Sequence, residues 1–124
     1  MNDTTYISFY LRYNRIHVFC KVLRDVGKPE YIRLLINADQ MRLVMQPYHK
    51  KDFRSFRVPK AIYSRQHGGN NSMELYSQAF CLLLANRLGW DTTRSYRVPG
   101  IIYGGQALVY FDLNKAALID SPFA

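Results

Sequence analysis

Two apolar runs on either side of a short turn sequence constrain the fold of this chain more than any other feature. The runs Tyr31–Ile36 and Met41–Met45 are rich in aliphatic residues, and Asn37–Gln40 between them is a turn-forming sequence. Apolar runs of this length that flank a polar turn are typical of a β-hairpin. The sequence therefore predicts a hairpin, which we expect Pro47 to end because proline cannot donate a hydrogen bond to a strand ladder.

Further strands are predicted where aromatic and β-branched residues are concentrated. They are Tyr6–Tyr13, Ser55–Val58, Ser95–Val98 and Ala107–Phe111. The last two flank the Gly104–Gly105 pair, and Asp112 is placed to cap a short helical turn at the end of the last strand.

Two helices are predicted from apolar residues at helical spacing. The first covers Ile16–Val26 and ends at Gly27, and the second covers Met73–Leu88 between a capping Ser72 and a terminal Gly89. The chain has 124 residues, 48% of them hydrophobic, which suits one domain with its own core. The prediction is a single basic α+β domain over residues 1–124, with a mainly antiparallel sheet of about six strands and two helices.

Positive charge is concentrated in one segment. The chain carries 17 Lys and Arg against 9 Asp and Glu, and Arg42–Arg65 contains seven of these cations opposed only by Asp52. A cluster of this kind favours contact with a polyanion, although a basic run can also serve solubility alone. The segment leads into Ser64–Ser72, a glycine-rich sequence that predicts an exposed loop, either a phosphate-contacting loop or an ordinary one.

An internal echo links two segments. Seven of ten positions are identical between Arg54–Tyr63 and Arg94–Tyr103, including Arg-Ser-aromatic-Arg-Val-Pro. The echo is either a strand type that recurs without further meaning or the sign of a duplicated, pseudo-symmetric core. Because side chains alternate along a strand, Arg57 and Arg97 should project from one sheet surface, where two guanidinium groups could hold one anion. The candidate binding residues are Lys50, Lys51, Arg54, Arg57, Lys60, Tyr63, Arg65, Arg94, Arg97 and Tyr103.

Motifs for catalysis or metal binding are not recognisable. His17, His49 and His67 are scattered, and no nucleophile elbow, phosphate loop or paired metal ligands occur. Cys20 and Cys81 lie in apolar runs, which predicts buried, reduced thiols. We therefore expect no enzyme, metal or cofactor, and the absence of an apolar segment long enough to span a bilayer leads us to expect a cytoplasmic protein without membrane contact.

Two parts of the chain resemble known sequences. The segment Gly27–Asn37, followed by Leu43 and Pro47, is similar to small proteins of intestinal Firmicutes and their phages or mobile elements, and Tyr96–Val98 with Val109–Leu113 resembles their C-terminal part. The resemblance carries no established activity. It implies a context in which small accessory proteins bind DNA or inhibit host defence complexes, as anti-CRISPR proteins do.

Two hypotheses of function follow. The first is a non-enzymatic protein that contacts nucleic acid, or a nucleoprotein complex of host defence, through its basic surface rich in arginine and tyrosine. The second is a small-molecule binder that sequesters a nucleotide-type signal in a pocket, with a homodimer interface as one place for it. Binding to several phosphates should weaken steeply with salt, whereas a buried nucleotide should depend more on pocket contacts.

Overall fold

One antiparallel sheet dominates the structure, a computed structural model that describes residues 3–37, 39–64 and 72–119. Within these residues the sheet has nine strands in the order β5-β3-β4-β8-β7-β1-β2-β6, with β9 pairing beside β7. The strands are β1 (Asp3–Tyr10), β2 (Arg15–Phe19), β3 (Tyr31–Asn37), β4 (Arg42–Tyr48), β5 (Ser55–Arg57), β6 (Ser72–Tyr76), β7 (Ser95–Tyr103), β8 (Leu108–Asp112) and β9 (Ala117–Leu118).

Three α-helices pack their apolar residues against one face of this sheet. They are α1 (Cys20–Asp25), α2 (Ala61–Ser64) and α3 (Gln78–Leu88), and short 3-10 helices cover Leu11–Tyr13, Gly104–Gln106 and Leu113–Lys115. Phe9 of β1 is completely buried and contacts the rings of Phe80 and Trp90 at centroid distances of 6.5 and 5.8 Å. Cys20 and Cys81 are buried free thiols, as predicted, and burial raises the pKa of Cys81 to about 11. We call this side of the sheet the core face, because the apolar interior lies between it and the helices.

The opposite face of the sheet, which we call the open face, is lined by the side chains that alternate with the core residues. Strand register brings Tyr110 opposite both Val44 and Ile101, and Ser8 opposite both Arg97 and His17. The arginine and tyrosine side chains of the open face are Tyr6, Tyr10, Arg15, Tyr31, Arg33, Arg42, Tyr48, Arg57, Tyr76, Arg97, Tyr103 and Tyr110.

The α+β class and the antiparallel sheet are confirmed, but the predicted number of about six strands and two helices is wrong. The predicted helices include Ile16–Phe19 and Met73–Tyr76, with Ser72 as a cap, yet these residues belong to β2 and β6, which pair with each other. Ile16 lies opposite Leu75, and both are buried on the core face, so period-two alternation and strand pairing prevail over the helical spacing of the whole segment. The cap of α3 is Ser77, which accepts a hydrogen bond from the Phe80 N–H at 3.1 Å.

The predicted hairpin is confirmed as β3 and β4, but Pro47 does not end it. Pro47 lies opposite Ile32 inside β4, whereas the pairing of β4 with β8 stops at Met45. A missing N–H is tolerated there because β4 has no second neighbour at that point. Ala38 of the turn lies outside the described residues, and Asn37 accepts a hydrogen bond from the Gln40 N–H at 3.1 Å.

The two segments of the internal echo both begin as strands but then adopt different structures, which favours a recurring strand type over a duplicated, pseudo-symmetric core. The first copy forms the edge strand β5 and turns into α2 after Pro59, whereas the second continues as the central strand β7. Gly100 marks one difference between the two copies, because a Cβ atom there would clash with the Phe111 ring. The glycine lets β7 pass close to β8, and Lys60 occupies the equivalent position in the first copy.

Leu34 and Leu35 provide a matched test of the two faces. Leu34 is buried on the core face, whereas the neighbouring Leu35 lies on the open face and is only half-buried. We expect Leu34→Ala to lower the free energy of unfolding by about 2–5 kcal/mol and Leu35→Ala to cost clearly less, because only the first leaves a cavity in the core. Chemical denaturation of both variants measures this difference. Equal losses of unfolding free energy would mean that the core-facing side of β3 has been assigned incorrectly.

Candidate functional site on the open face

Arginine side chains lie over tyrosine rings across most of the open face. One pair, Arg15 and Tyr76, sits directly opposite on β2 and β6, and the other pairs are diagonal neighbours on adjacent strands. The Cζ to ring-centroid distances are 5.7 Å for Arg15 and Tyr76, 4.5 Å for Arg33 and Tyr48, 5.7 Å for Arg42 and Tyr110, and 5.5 Å for Arg97 and Tyr6. These are cation-π distances, so each ring helps to hold a guanidinium group on the surface.

Most of these guanidinium groups have no acidic partner among the described residues. Arg15 forms an ion pair with Glu74 at 2.9 Å, but no carboxylate of the described residues lies within 4.0 Å of Arg33, Arg42 or Arg97. The Nε atom of Arg33 is buried and lacks a hydrogen-bond acceptor in the described part of the chain. A buried donor without an acceptor is costly, so the position of Arg33 against the Tyr48 ring is not explained by hydrogen bonding of its Nε atom within the described residues.

A groove runs across the centre of the open face where β4, β8, β7 and β1 lie side by side. Its volume is about 700 Å³, and its walls include Tyr6, Arg42, Ile101, Tyr103 and Tyr110. The rings of Tyr103 and Tyr110 meet edge to face with centroids 5.4 Å apart. Lys115 and Asp112 also line the groove, so it combines aromatic surface with two cations and one carboxylate.

Comparisons of the chain with protein families, with curated proteins and with solved structures give no match. The ligands that the open face can bind therefore follow only from the chemistry of its own side chains.

A second recess lies beside β2 and β6. It has a volume of about 550 Å³ and is lined by Tyr10, Tyr13, Arg15, His17 and Glu74. The His17 ring contacts Tyr10 at a centroid distance of 4.6 Å, and its Nε2 atom lies 3.9 Å from the Glu74 carboxylate. Partial burial lowers the pKa of His17 and outweighs the opposing effect of Glu74, while Arg15 lowers it further. Its environment therefore favours the neutral form of His17 over the protonated one.

We expect acidification to destabilise the protein through His17. Because its pKa in the folded state lies below the ordinary 6.5, the unfolded chain binds more protons, and the stabilisation present above that value is lost as the pH falls below it. The thermal midpoint should therefore decline less in His17→Gln than in the wild type between about pH 7.5 and about pH 5.5. Identical declines would show that His17 titrates alike in the folded and unfolded chains.

The structure places Arg57 and Arg97 on the same open face, as predicted, and both are exposed. Four strand-to-strand steps separate β5 from β7, which amounts to about 19 Å. The Arg97 guanidinium also leans towards Tyr6 on β1, away from β5. The two arginines therefore do not form a clamp for one phosphate, although both could contact one extended polyanion.

The other predicted binding residues have varied positions. Tyr103 lies in the central groove, but Tyr63 does not stand at the end of a matching strand: it belongs to α2, and its hydroxyl donates a 2.6 Å hydrogen bond to the Pro29 carbonyl. Burial raises the pKa of Tyr63 to about 12. Arg65 and the glycine-rich sequence after it, where a loop is predicted, lie outside the described residues. The remaining predicted cations are all exposed, namely Lys50, Lys51, Arg54, Lys60 and Arg94.

Sequence reasoning missed most members of the arginine–tyrosine pairs on the open face, namely Tyr6, Arg15, Arg33, Arg42, Tyr48, Tyr76 and Tyr110. The available signal was that arginine and tyrosine occupy the outward positions of several predicted strands. No three potential metal ligands of the described residues cluster, and none of the described helices has the length and apolar character of a membrane span.

Proposed function

We propose that the open face binds single-stranded nucleic acid without catalysing a reaction on it. The observation that carries this proposal is the set of four arginine–tyrosine pairs on one sheet face, of which three have guanidinium groups without an acidic partner among the described residues. Stacking of a base on an aromatic ring contributes about 1–3 kcal/mol, and guanidinium groups bind phosphate oxygens in pairs. Bases and phosphates of one strand would thus be contacted by the same row of side chains.

The preference for a single strand follows from the position of the rings. Tyr6 and Tyr76 are 46% and 62% exposed, so their rings are accessible from the open face. In a duplex the flat surfaces of the bases are already stacked on one another, whereas those of a single strand are free to stack on a protein. The net charge of +8 adds long-range attraction to any polyanion, which favours encounter but not selection.

A second candidate is a nucleotide-type small molecule held in the central groove. The groove volume of about 700 Å³ falls within the usual range for small-molecule sites, and Arg42 and Lys115 could face a phosphate while Tyr103 or Tyr110 faces a base. A nucleotide would use only this part of the open face. The arginine pairs on β2, β3 and β6 would then lack a role in binding.

The resemblance to proteins of phages and mobile elements extends the first proposal to a biological setting. A small basic protein with this surface would bind single-stranded nucleic acid, or the nucleic acid within a host defence complex. Other molecules could then no longer bind that nucleic acid. Copurification of nucleic acid from cells that express the protein, with and without nuclease treatment, would test this setting separately from the binding itself.

Fluorescence anisotropy with labelled oligo(dT), the matching duplex and ATP as competitor tests both candidates. We expect oligo(dT) to bind more tightly than the duplex, and its affinity to fall steeply between about 50 and about 200 mM salt because bound counterions are released. Heparin measures attraction to charge alone. Equal affinity for heparin and oligo(dT) would overturn the single-strand proposal. Displacement of oligo(dT) by ATP at a concentration no higher than that of the binding sites would overturn it as well.

A further inference from the structure

Phe53 is the most exposed large hydrophobic residue among those that the structure describes. Its exposed fraction is 90%, compared with 62% for Tyr76, the next in order. It lies in the connection between β4 and β5, residues 49–54, whereas the other phenylalanines of the described chain are buried or half-buried. A single exposed apolar residue is common on protein surfaces, so the significance of Phe53 depends on how it is held and on what surrounds it.

The turn that carries Phe53 is fixed by its own hydrogen bonds. The Asp52 carboxylate accepts from the Arg54 N–H at 2.8 Å, and the Asp52 carbonyl accepts from the Ser55 N–H at 3.2 Å. The Asp52 N–H in turn donates to the Ser55 hydroxyl oxygen at 2.9 Å. These bonds form a closed turn around residues 52–55, with Phe53 projecting from its apex.

The surroundings of Phe53 are cationic. The Arg54 guanidinium lies 5.1 Å from the centroid of the Phe53 ring, and Lys50 and Lys51 are exposed in the same connection. The only acid of the connection, Asp52, is engaged by the backbone of the turn. An aromatic ring flanked by cations repeats the combination found in the arginine–tyrosine pairs of the open face.

The connection is also continuous with the open face. Because β4 and β5 pair with opposite sides of β3, residues 49–54 must cross β3 near its first residues, Tyr31–Arg33. The connection begins after Tyr48, whose ring holds Arg33, and ends at Ser55, which lies opposite Arg33. Two residues of chain span at most about 7 Å, so Phe53 stands close to this end of the open face.

We propose that Phe53 is a stacking finger that contacts a base of the bound single strand, while Lys50, Lys51 and Arg54 bind the adjacent phosphates. This inference rests on the proposed function and adds a contact beyond the sheet. The finger would extend the binding surface beyond β3 and hold one end of the bound nucleic-acid strand in place. Aromatic stacking of this type tolerates any base, because every base has a flat surface.

The test combines Phe53→Ala and Phe53→Trp with the wild type. Binding to oligo(dT) should weaken about 5- to 150-fold in Phe53→Ala and be retained in Phe53→Trp, because only alanine removes the stacking surface. The thermal midpoint of Phe53→Ala should remain that of the wild type, since an exposed ring contributes little packing. Leu83→Ala on α3 is the matched control, because it removes a partly exposed apolar residue from the opposite side of the sheet.

Fluorescence locates the contact directly. The wild type contains one tryptophan, Trp90, which is stacked on Tyr96 on the core face and gives the baseline signal. Added oligo(dT) should quench the additional signal of Phe53→Trp. Unchanged affinity of Phe53→Ala beside firm wild-type binding would overturn the finger alone, and absence of wild-type binding would overturn the proposed function with it. A response of Phe53→Trp to phosphatidylserine vesicles but not to oligo(dT) would assign the loop to a membrane surface instead.

Discussion

Replacing Arg33, Arg42 and Arg97 together with glutamine is expected to lower the affinity for oligo(dT) at least about 100-fold at low salt. Each hydrogen bond to a charged group contributes about 1.5–3 kcal/mol, so three lost contacts exceed this factor even when they are far from additive. The slope of log affinity against log salt should fall by about 2, since each phosphate contact with a single strand contributes about 0.7. Salt titrations by anisotropy measure both quantities.

The control for this triple variant must remove the same charge elsewhere. Arg24, Lys28 and Arg87 are exposed cations on or next to the helices, away from the open face. Their joint replacement with glutamine lowers the net charge from +8 by the same three units. If the two triple variants lose affinity equally, the protein attracts nucleic acid by net charge and the open face has no special role.

Phe9→Ala is expected to produce the largest loss of stability of any single change considered. Phe9 is fully buried and links β1 to Phe80 of α3 and to Trp90. Truncation of a buried phenylalanine typically costs about 3–5 kcal/mol, which is a large part of the 5–15 kcal/mol that stabilises an ordinary domain. Urea denaturation followed by circular dichroism gives the value.

The contact between α3 and the sheet is the specific reason for this expectation. Leu83→Ala changes an exposed position of the same helix and should stay within about 1 kcal/mol of the wild type. A similar small loss in Phe9→Ala would mean that the sheet is stable without its contact to α3. The helix would then be an appendage rather than part of the core.

The parts of the fold that were predictable are those in which local pattern and final structure agree. The β3–β4 hairpin, the strands that became β7 and β8 and the Asp112 cap all follow from nearby residues, and Asp112 accepts a hydrogen bond from the Asn114 N–H at 3.0 Å. The strands β2 and β6 were missed because each is followed closely by a helix. β2 continues directly into α1, and only the capping Ser77 separates β6 from α3, so the apolar residues of strand and helix together resemble one longer helix. Their pairing is a long-range event that spacing within one segment does not reveal.

The candidate site was predictable only in its composition. Basic residues, tyrosines and the outward orientation of Arg57 and Arg97 could be inferred from the chain, but the partners of the arginines could not. Arg97 meets Tyr6 and Arg42 meets Tyr110 only because the strand order brings distant segments side by side. Prediction of the open face therefore requires the strand order, which the secondary-structure propensity of each segment does not provide.

The two borders of the sheet limit how this protein can associate. β5 has three residues and includes the exposed Arg57, and β6 has five and includes the exposed Glu74. A strand from another molecule would gain only a short ladder at either border and would meet a charged side chain there. Among the described residues, growth of the sheet by edge-to-edge addition is therefore disfavoured at both borders.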